Sequence, residues 1–542
     1  MTQTKERKDN FVVQAGILAM AGIIVRIIGL LYRSPLAEII GDEGNGYYSF
    51  AYNIYTIILL ISSYSIPSAI AKVMAQRIAF GEYRNAHRLF RCALLYVVVV
   101  GLIGSGVAYF CAPFLVVENA EPVLRIFAPT IFFSGLLGVL RGYFQAQRTM
   151  VPTSVSQILE QILNACVSVF AAWLFIHLMT GNDTTQKAIR GASGSAIGTG
   201  CGVVFALLFM LWIYLRRRKS IMEEIANDQT EHDESYKELF KVILLVVTPF
   251  ILSTFIYNLS TSLNQTIYSE LMMSVKNMSE ETVATMYGIF AGKSVVITNI
   301  PIAFGSAMAA ALIPGVSAAY AKKNMEASRS KVNLAIKVTM LISIPSSVGL
   351  FVLAHPIVKL LFPQKASLDT AVAVLRVLAI SVVFYGLSTL TNAVLQGIGK
   401  VNLPVWHALA ALIVQVVVLV VLLVFTDMNL YALAIANICY SLLMCILNSR
   451  AVNKYLEYKE NAMQTFVRPF FAAACMGVVA YGVYFVFALM MDERIALIPA
   501  LLVAVIVYFI FVIKFRAVTE EELRAIPKGT KLVVAAKRLR LL

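Results

Sequence analysis

Charge is scarce in this chain: Asp, Glu, Lys and Arg make up 14% of its 542 residues, against 59% hydrophobic. Soluble domains carry about 25% charged residues, so a soluble globular protein is excluded and an integral membrane protein is left. The alternating ten-residue segments of a membrane β-barrel are missing too. Histidine is rarer still: His87, His177, His232, His355 and His407 show no metal-ligand spacing. The seven cysteines (Cys92, Cys111, Cys166, Cys201, Cys439, Cys445 and Cys475) are scattered, nearly all within apolar stretches, and form no CxxC pair. That pattern supports neither a disulfide framework nor a zinc site, and they read as small packing residues. No Walker A loop or GxGxxG occurs, and no soluble domain could hold a nucleotide. The expectation is a protein without catalytic residues, metal or cofactor, and not an enzyme.

What is present is a succession of apolar runs, with a mean hydropathy of +0.78. A bilayer core needs about 20 such residues per helix. Fourteen windows qualify, near 11–33, 46–71, 91–116, 123–146, 152–178, 190–215, 239–266, 284–312, 332–354, 371–396, 402–426, 430–452, 466–490 and 495–515. Lys5, Arg7 and Lys8 before the first window imitate a signal peptide with a cleavage site near Ala19-Met20-Ala21. The apolar run continues past that point, so an uncleaved first span is expected.

The net charge of +15 is distributed as the positive-inside rule requires, which removes the need for a nucleic-acid partner. Connections after even-numbered spans carry Lys72, Arg77, Arg84, Arg88 and Arg91; Arg148; Arg216, Arg217, Arg218 and Lys219; Lys322, Lys323, Arg329 and Lys331; Lys400; and Arg450, Lys454, Lys459 and Arg468. Those after odd-numbered spans carry Glu38, Asp42 and Glu43, then Glu118 and Glu121, and later Glu270, Glu280 and Glu281. The alternation predicts both termini on the cytoplasmic side.

The long connection divides the chain into an N-terminal lobe (1–215), a cytoplasmic linker (216–238), a C-terminal lobe (239–452), two extra helices (453–515) and a basic tail (516–542). The acidic remainder of the linker, including Asp228, Glu231, Asp233 and Glu234, reads as solvated. Two echoes relate the lobes. Gln145, Arg148 and Pro152 correspond to Gln396, Lys400 and Pro404, and Pro67 to Pro314, each with a basic segment following. Six spans per lobe make the repeat parallel. The expected fold is an all-α integral membrane protein, two six-helix lobes plus two C-terminal helices.

Polar residues inside the spans are the candidates for function. Arg26 interrupts the first span roughly 22 Å from its inner end. An arginine there costs about 2.5–3.5 kcal/mol on insertion scales, so it either snorkels to the outer interface or faces a polar cavity. In a cavity it would bind something anionic. Arg33 reads as interfacial. Lys293 in the eighth span poses the same alternative as Arg26, and Asn299 follows it. Gln157, Glu160, Gln161 and Asn164 share one face of the fifth span. Glu160 is either a proton or cation site or the counter-ion of a buried arginine. Asn258 and Asn264 belong to a polar seventh span, where interhelical packing is the competing account. Gly194, Gly198 and Gly202 form a packing ladder, while Arg125, Arg141, Lys337 and Arg376 read as snorkelling at span ends.

The stretch Val25-Arg26-Ile-Ile-Gly29, with Arg33 and Ile39-Ile40-Gly41-Asp-Glu-Gly44, resembles the start of the polysaccharide-exporter and lipid II flippase branch of the MOP superfamily. The resemblance covers essentially the whole chain and is strongest to MurJ-like flippases of the YtgP and stage V sporulation protein B types. It implies a two-lobed transporter with a central cavity, whose cations bind the pyrophosphate of an undecaprenyl-linked saccharide while the lobes rock. It implies head-group roles for Arg26, Lys293 and, with a one-residue shift, Arg33. It implies a multi-pass protein of the bacterial cytoplasmic membrane, monomeric, with lipid and a lipid-linked oligosaccharide as partners and cell-wall synthesis enzymes as candidate neighbours. Lipid II is the first cargo expected; another lipid-linked glycan, of capsule or teichoic type, is the alternative. A cation-coupled multidrug exporter is a further alternative, and so is a non-transporting scaffold. No acidic sodium-site residues match in the seventh or eleventh span.

Overall fold

The computed structural model describes residues 2–64, 66–147, 149–179, 181, 183–230, 234–457, 461–520 and 537. Arg148, Glu231, His232, Asp233, Lys459 and nearly all of the basic tail lie outside the described residues, as do the side chains of Lys5, Arg7, Lys8 and Pro314. Every element is helical, and no strand occurs among the described residues. Among the described residues ten helices are long and apolar enough to cross a membrane, or eleven if one pair bent by 42° counts as a single span. The protein is a multi-pass, all-helical membrane protein. Its chain forms two compact units, Met1–Gly288 and Ile289–Leu542, divided inside the eighth apolar window.

The first unit runs through α1 (Thr2–Leu59), α2 (Ile66–Ala79), α3 (Tyr83–Phe110), α4 (Ala112–Leu115), α5 (Glu121–Ala146), α6 (Val151–His177), α7 (Thr184–Ala226), α8 (Tyr236–Ser274) and most of α9 (Glu280–Ile289). α1 is two helices joined at Gly41, whose φ of 70° and ψ of 179° break the spiral. Positive φ is accessible to glycine at little cost, so the chain reverses there without a loop. Side-chain neighbours confirm the reversal. Before Gly41, α1 follows α6: Gly29 sits on Gln161, while Leu36 and Ile40 cluster with Ala172. After Gly41 it follows α7, with Gly44 on Ala188 and Tyr48 beside Thr199. α6 and α7 are themselves antiparallel.

That last pairing rests on the glycine ladder. A Cβ on Gly194, Gly198 or Gly202 would come within 2.6 Å of Ala171, Ser168 or Glu160 respectively, so only glycine lets the two backbones approach. In lipid there is no hydrophobic gain from joining helices, and close van der Waals packing on small residues takes its place. The ladder is thus a packing device. Beside it, Leu89, Phe90, Val97, Val139, Phe144, Ala206 and Met210 close the unit's apolar core.

Asp228 and Glu234, in the acidic stretch after α7, are bonded to the protein and not simply solvated. Asp228 accepts a 2.6 Å bond from the Arg84 amide, and Glu234 accepts two from the Arg77 guanidinium at 2.7 and 2.8 Å. Arg88 donates to the Glu234 carbonyl, and the Glu234 amide donates to Asn85. The physical reason is complementarity: the basic α2–α3 corner offers fixed donors to an acidic strap, and charge-assisted bonds exceed neutral ones. Ser235 then opens α8 through a capping box with Glu238. Burial alone would raise the Asp228 pKa, but hydrogen bonds from Thr230 and from the Arg84 amide outweigh it and hold the carboxyl below its usual range. A carboxyl depressed on folding contributes stability above its unfolded pKa, and loses it as pH falls through the folded value. Glu234→Ala is therefore expected to speed amide exchange in 84–88 and 227–235 at neutral pH, a release worth about 1 kcal/mol. In the parent protein the same release should need acid. Equal exchange in variant and parent would remove the strap.

The second unit comprises α10 (Val295–Ala321), α11 (Met325–Val352), α12 (Ala354–Leu361), α13 (Leu368–Ala379), α14 (Ser381–Gly397), α15 (Asn402–Phe425), α16 (Leu430–Leu456), α17 (Arg468–Ala488) and α18 (Glu493–Lys514). Its core joins Val316, Met340, Leu390, Val394, Leu395, Val452 and Leu456, and α17 seats Gly477 against Val348 and Val352 of α11. Pro404 lies in the first turn of α15, as Pro152 does in α6, where a missing N–H costs nothing. Lys337, read from sequence as snorkelling, is buried at 4% exposure.

Candidate functional site

Two spans of the first unit supply its polar interior. α1 carries Arg26, Arg33 and five tyrosines, Tyr48, Tyr52 and Tyr55 among them; α6 carries the amide and carboxylate face. Arg26 is exposed. Arg33, one helical turn beyond Gly29 and on the same face, is half-buried. It donates to Tyr32 and lies within electrostatic range of the Tyr48 and Tyr52 hydroxyls. Among the described residues it has no carboxylate partner. Tyr48, Tyr52 and Tyr55 recur at i, i+4 and i+7 along α1. Tyr48 stacks on Tyr52 at 5.6 Å, and Tyr55 stacks on Phe127 of α5 at 4.8 Å.

The α6 face divides its work. Glu160 accepts a 2.7 Å charged bond from Arg141 of α5, whose Nε also donates to Ser156 at 2.9 Å. The counter-ion reading of Glu160 holds, and Arg141 is bound inward instead of snorkelling. Asn164 accepts from Ser168 at 2.9 Å and from Thr199 at 3.3 Å, and Thr199 meets Tyr48 at 3.4 Å. A Cβ on Gly29 would lie 3.2 Å from Gln161 Nε2, so α1 passes directly over this face. Gln157 is half-buried one turn before Gln161.

The polar residues of α8 serve mainly to dock it on α1. Gln265 donates to the Phe50 carbonyl at 3.0 Å and accepts from Asn53 at 2.5 Å; Asn53 also donates to Tyr287 at 3.0 Å. Asn264 is buried and Asn258 half-buried on the same helix.

Lys293 belongs to the second unit and neither snorkels nor stands open. It lies on a π-helical turn, Phe290–Ser294, at 1% exposure, and donates to Ser367 at 2.6 Å. Ser294 donates to the Ala371 carbonyl at 3.1 Å, so the turn is fixed to the start of α13. Asn299, further along α10, is exposed. The structure thus brings together Arg33, Glu160, Gln161 and Asn164, and encloses Lys293 separately within its own unit. Among the described residues no group of His, Cys, Asp or Glu could hold a metal ion.

Sequence reasoning missed Arg141 and the tyrosines. The tyrosine spacing was a usable signal, since Tyr48, Tyr52 and Tyr55 fall on one face of the second span. Chemically the arrangement suits an oxyanion: an arginine fork without a carboxylate, oriented by phenol hydroxyls and shielded from water.

The sequence pattern of the lipid II flippase MurJ family matches residues 83–504. Stage V sporulation protein B of Bacillus subtilis (strain 168) is 23% identical over 97% of this chain and 99% of its own length. Lipid II flippase MurJ of the same organism is 22% identical over 75% of each. Among solved structures, lipid II flippase MurJ in an inward closed conformation superposes with a TM-score of 0.67 at 15% identity, covering 92% of this chain and 98% of that one. An inward-facing multidrug resistance MATE transporter of the MOP superfamily reaches 0.64 at 17% identity, covering 82% and 98%.

Proposed function

The chain belongs to the lipid II flippase MurJ family, and from that premise we propose that it moves an undecaprenyl-pyrophosphate-linked saccharide, lipid II first among them, across the bacterial cytoplasmic membrane by alternating access. The observation that carries this reading is Arg33, half-buried among tyrosine hydroxyls and, among the described residues, with no carboxylate paired to it. A diphosphate offers that fork several charged acceptors, and such bonds are worth about 1.5–3 kcal/mol each. Arg26, seven residues earlier, is the second proposed head-group ligand. Lys293 would be a third only if its bond to Ser367 opened. Gln157, Glu160, Asn164, Asn258, Asn264 and Asn299 are proposed to contribute to the polar lining. Fourteen spans with both ends inside follow if α1, split at Gly41, counts twice and α8 once more beside the eleven candidates. The two six-helix lobes, two extra helices and a single-copy transporter without an obligatory protein partner complete the proposal.

A second cargo has one observation in its favour. The alignment with stage V sporulation protein B spans nearly the entire chain, that with MurJ three quarters of it. A different lipid-linked glycan is therefore the alternative. Export of organic cations is disfavoured because Glu160, the one acid expected in the cavity, already has Arg141.

Depleting the protein and measuring which lipid-linked precursor builds up on the inner leaflet tests the proposal. Lipid II should rise several-fold. Accumulation of another undecaprenyl-linked glycan would transfer the assignment to the alternative, and unchanged pools of all such lipids would refute flippase function.

A further inference from the structure

The polar interior of the first unit contains one carboxylate that ought to spoil it. Glu160 lies on the α6 face beneath α1, next to Gln161, on which Gly29 rests. Arg33 is one turn from Gly29 on the same side of α1. The Tyr52 hydroxyl is within electrostatic range of both Arg33 and Glu160. A carboxylate free in that place would seek the nearest arginine, since a charge out of water needs a partner. It would occupy the very fork that an anionic head group requires.

Arg141 prevents this. It reaches from α5, holds Glu160 at 2.7 Å, and has its own direction set by the 2.9 Å bond from Nε to Ser156. Ser156 is fully buried and its hydroxyl donates to the Thr153 carbonyl at 2.7 Å, so the acceptor is fixed. Gly202 removes the last freedom: a Cβ there would lie 2.6 Å from the Glu160 carbonyl, so α7 presses directly on this turn of α6. Three helices thus converge to keep one ion pair in register.

We infer that Arg141 is a positioning residue for anion recognition: by holding Glu160 it keeps Arg33 open to a lipid diphosphate. This rests on the reading of Arg33 as a head-group ligand. It assigns the Arg141–Glu160 pair a role in selectivity, because the same carboxylate, once released, would neutralise the anion site.

The test uses the full-length protein in lipid nanodiscs with farnesyl diphosphate as the probe, its binding measured by native mass spectrometry and by competition with unlabelled probe. The parent should bind, and Arg33→Gln should weaken binding about tenfold or more. Arg141→Gln should weaken it to a similar degree, and Arg141→Gln with Glu160→Gln should restore it to within about threefold of the parent. The restoring double variant separates positioning from a merely structural part, which a second substitution at the same pair would not repair. If Arg141→Gln binds like the parent, or the double variant stays as weak as the single, the inference is overturned while the Arg33 reading stands. If Arg33→Gln binds like the parent, or the parent does not bind, both fall.

Discussion

Gly46→Ala is expected to lower the melting temperature of the purified protein sharply, and Gly288→Ala to do the same, whereas Gly106→Ala should leave it unchanged. A Cβ built on Gly46 would lie 1.9 Å from the carbonyl oxygen of Ala284, and one on Gly288 would lie 1.9 Å from that of Asp42. These four residues form a reciprocal crossing, Asp42 and Gly46 on α1 against Ala284 and Gly288 on α9, each pair four residues apart. The obstacle on both sides is backbone, which cannot swing away as a side-chain end can. Overpacking in a well-packed core costs about 1–3 kcal/mol and sometimes more. The crossing is also held by hydrogen bonds that depend on its spacing. Asn53 reaches Tyr287 at 3.0 Å, and Phe50 stacks on Tyr287 at 4.9 Å. Displacing α9 by one methyl group strains all of these together. Nothing lies within 4 Å of a Cβ on Gly106, so that variant controls for helix propensity. The double variant Gly46→Ala with Gly288→Ala should be much less than additive, because the first methyl already separates the helices that the second would meet. Full additivity, or a melting temperature for Gly46→Ala equal to that of Gly106→Ala, would show that the helices do not cross here.

That crossing also marks where the sequence stopped being readable. Apolar windows located the helices because a span must satisfy its own backbone and cover itself with apolar side chains, two local demands. The ladder at Gly194, Gly198 and Gly202 was visible for the same reason: its spacing lies in one segment. Gly46 and Gly288 are 242 residues apart in sequence, and the backbones they meet, Ala284 and Asp42, are not marked by any glycine spacing. Only the fold pairs each with Ala284 or Asp42. The sequence placed a connection between the windows ending near 33 and starting near 46, but not that the break narrows to the single residue Gly41.

Among charged residues the same distinction holds. A buried arginine was one of two readings open to Glu160 from the sequence, and which arginine was not readable, since Arg141 lies 19 residues earlier on another helix. The acidic strap looked solvated because composition records its charge and not the basic α2–α3 corner facing it. Lys293 was open to two readings, and the structure took a third: Ser367, 74 residues away, supplies the acceptor.

The largest functional effect is expected at Arg33. Arg33→Gln should abolish complementation of a flippase-depleted strain at normal protein level, while Arg26→Gln should retain part of it. The difference follows from surroundings. A half-buried guanidinium sits in a lower effective dielectric than one in water, and gains more from the same contact with an anion. Arg33 is the half-buried one and is already oriented by Tyr32, so little side-chain entropy remains to be lost on binding. Its removal should forfeit about 1.5–3 kcal/mol for each charged bond lost, or roughly 10- to 100-fold in affinity. Arg33→Lys should rescue poorly, because an ammonium cannot make the two parallel bonds of the fork. Lys293→Met should behave differently again. Its ammonium already has Ser367 inside the second unit, so the substitution should act on thermal stability and leave farnesyl diphosphate binding close to the parent's. If Arg26→Gln is instead the null variant and Arg33→Gln complements fully, the head group meets the exposed cation, and the tyrosine-lined arginine serves packing alone.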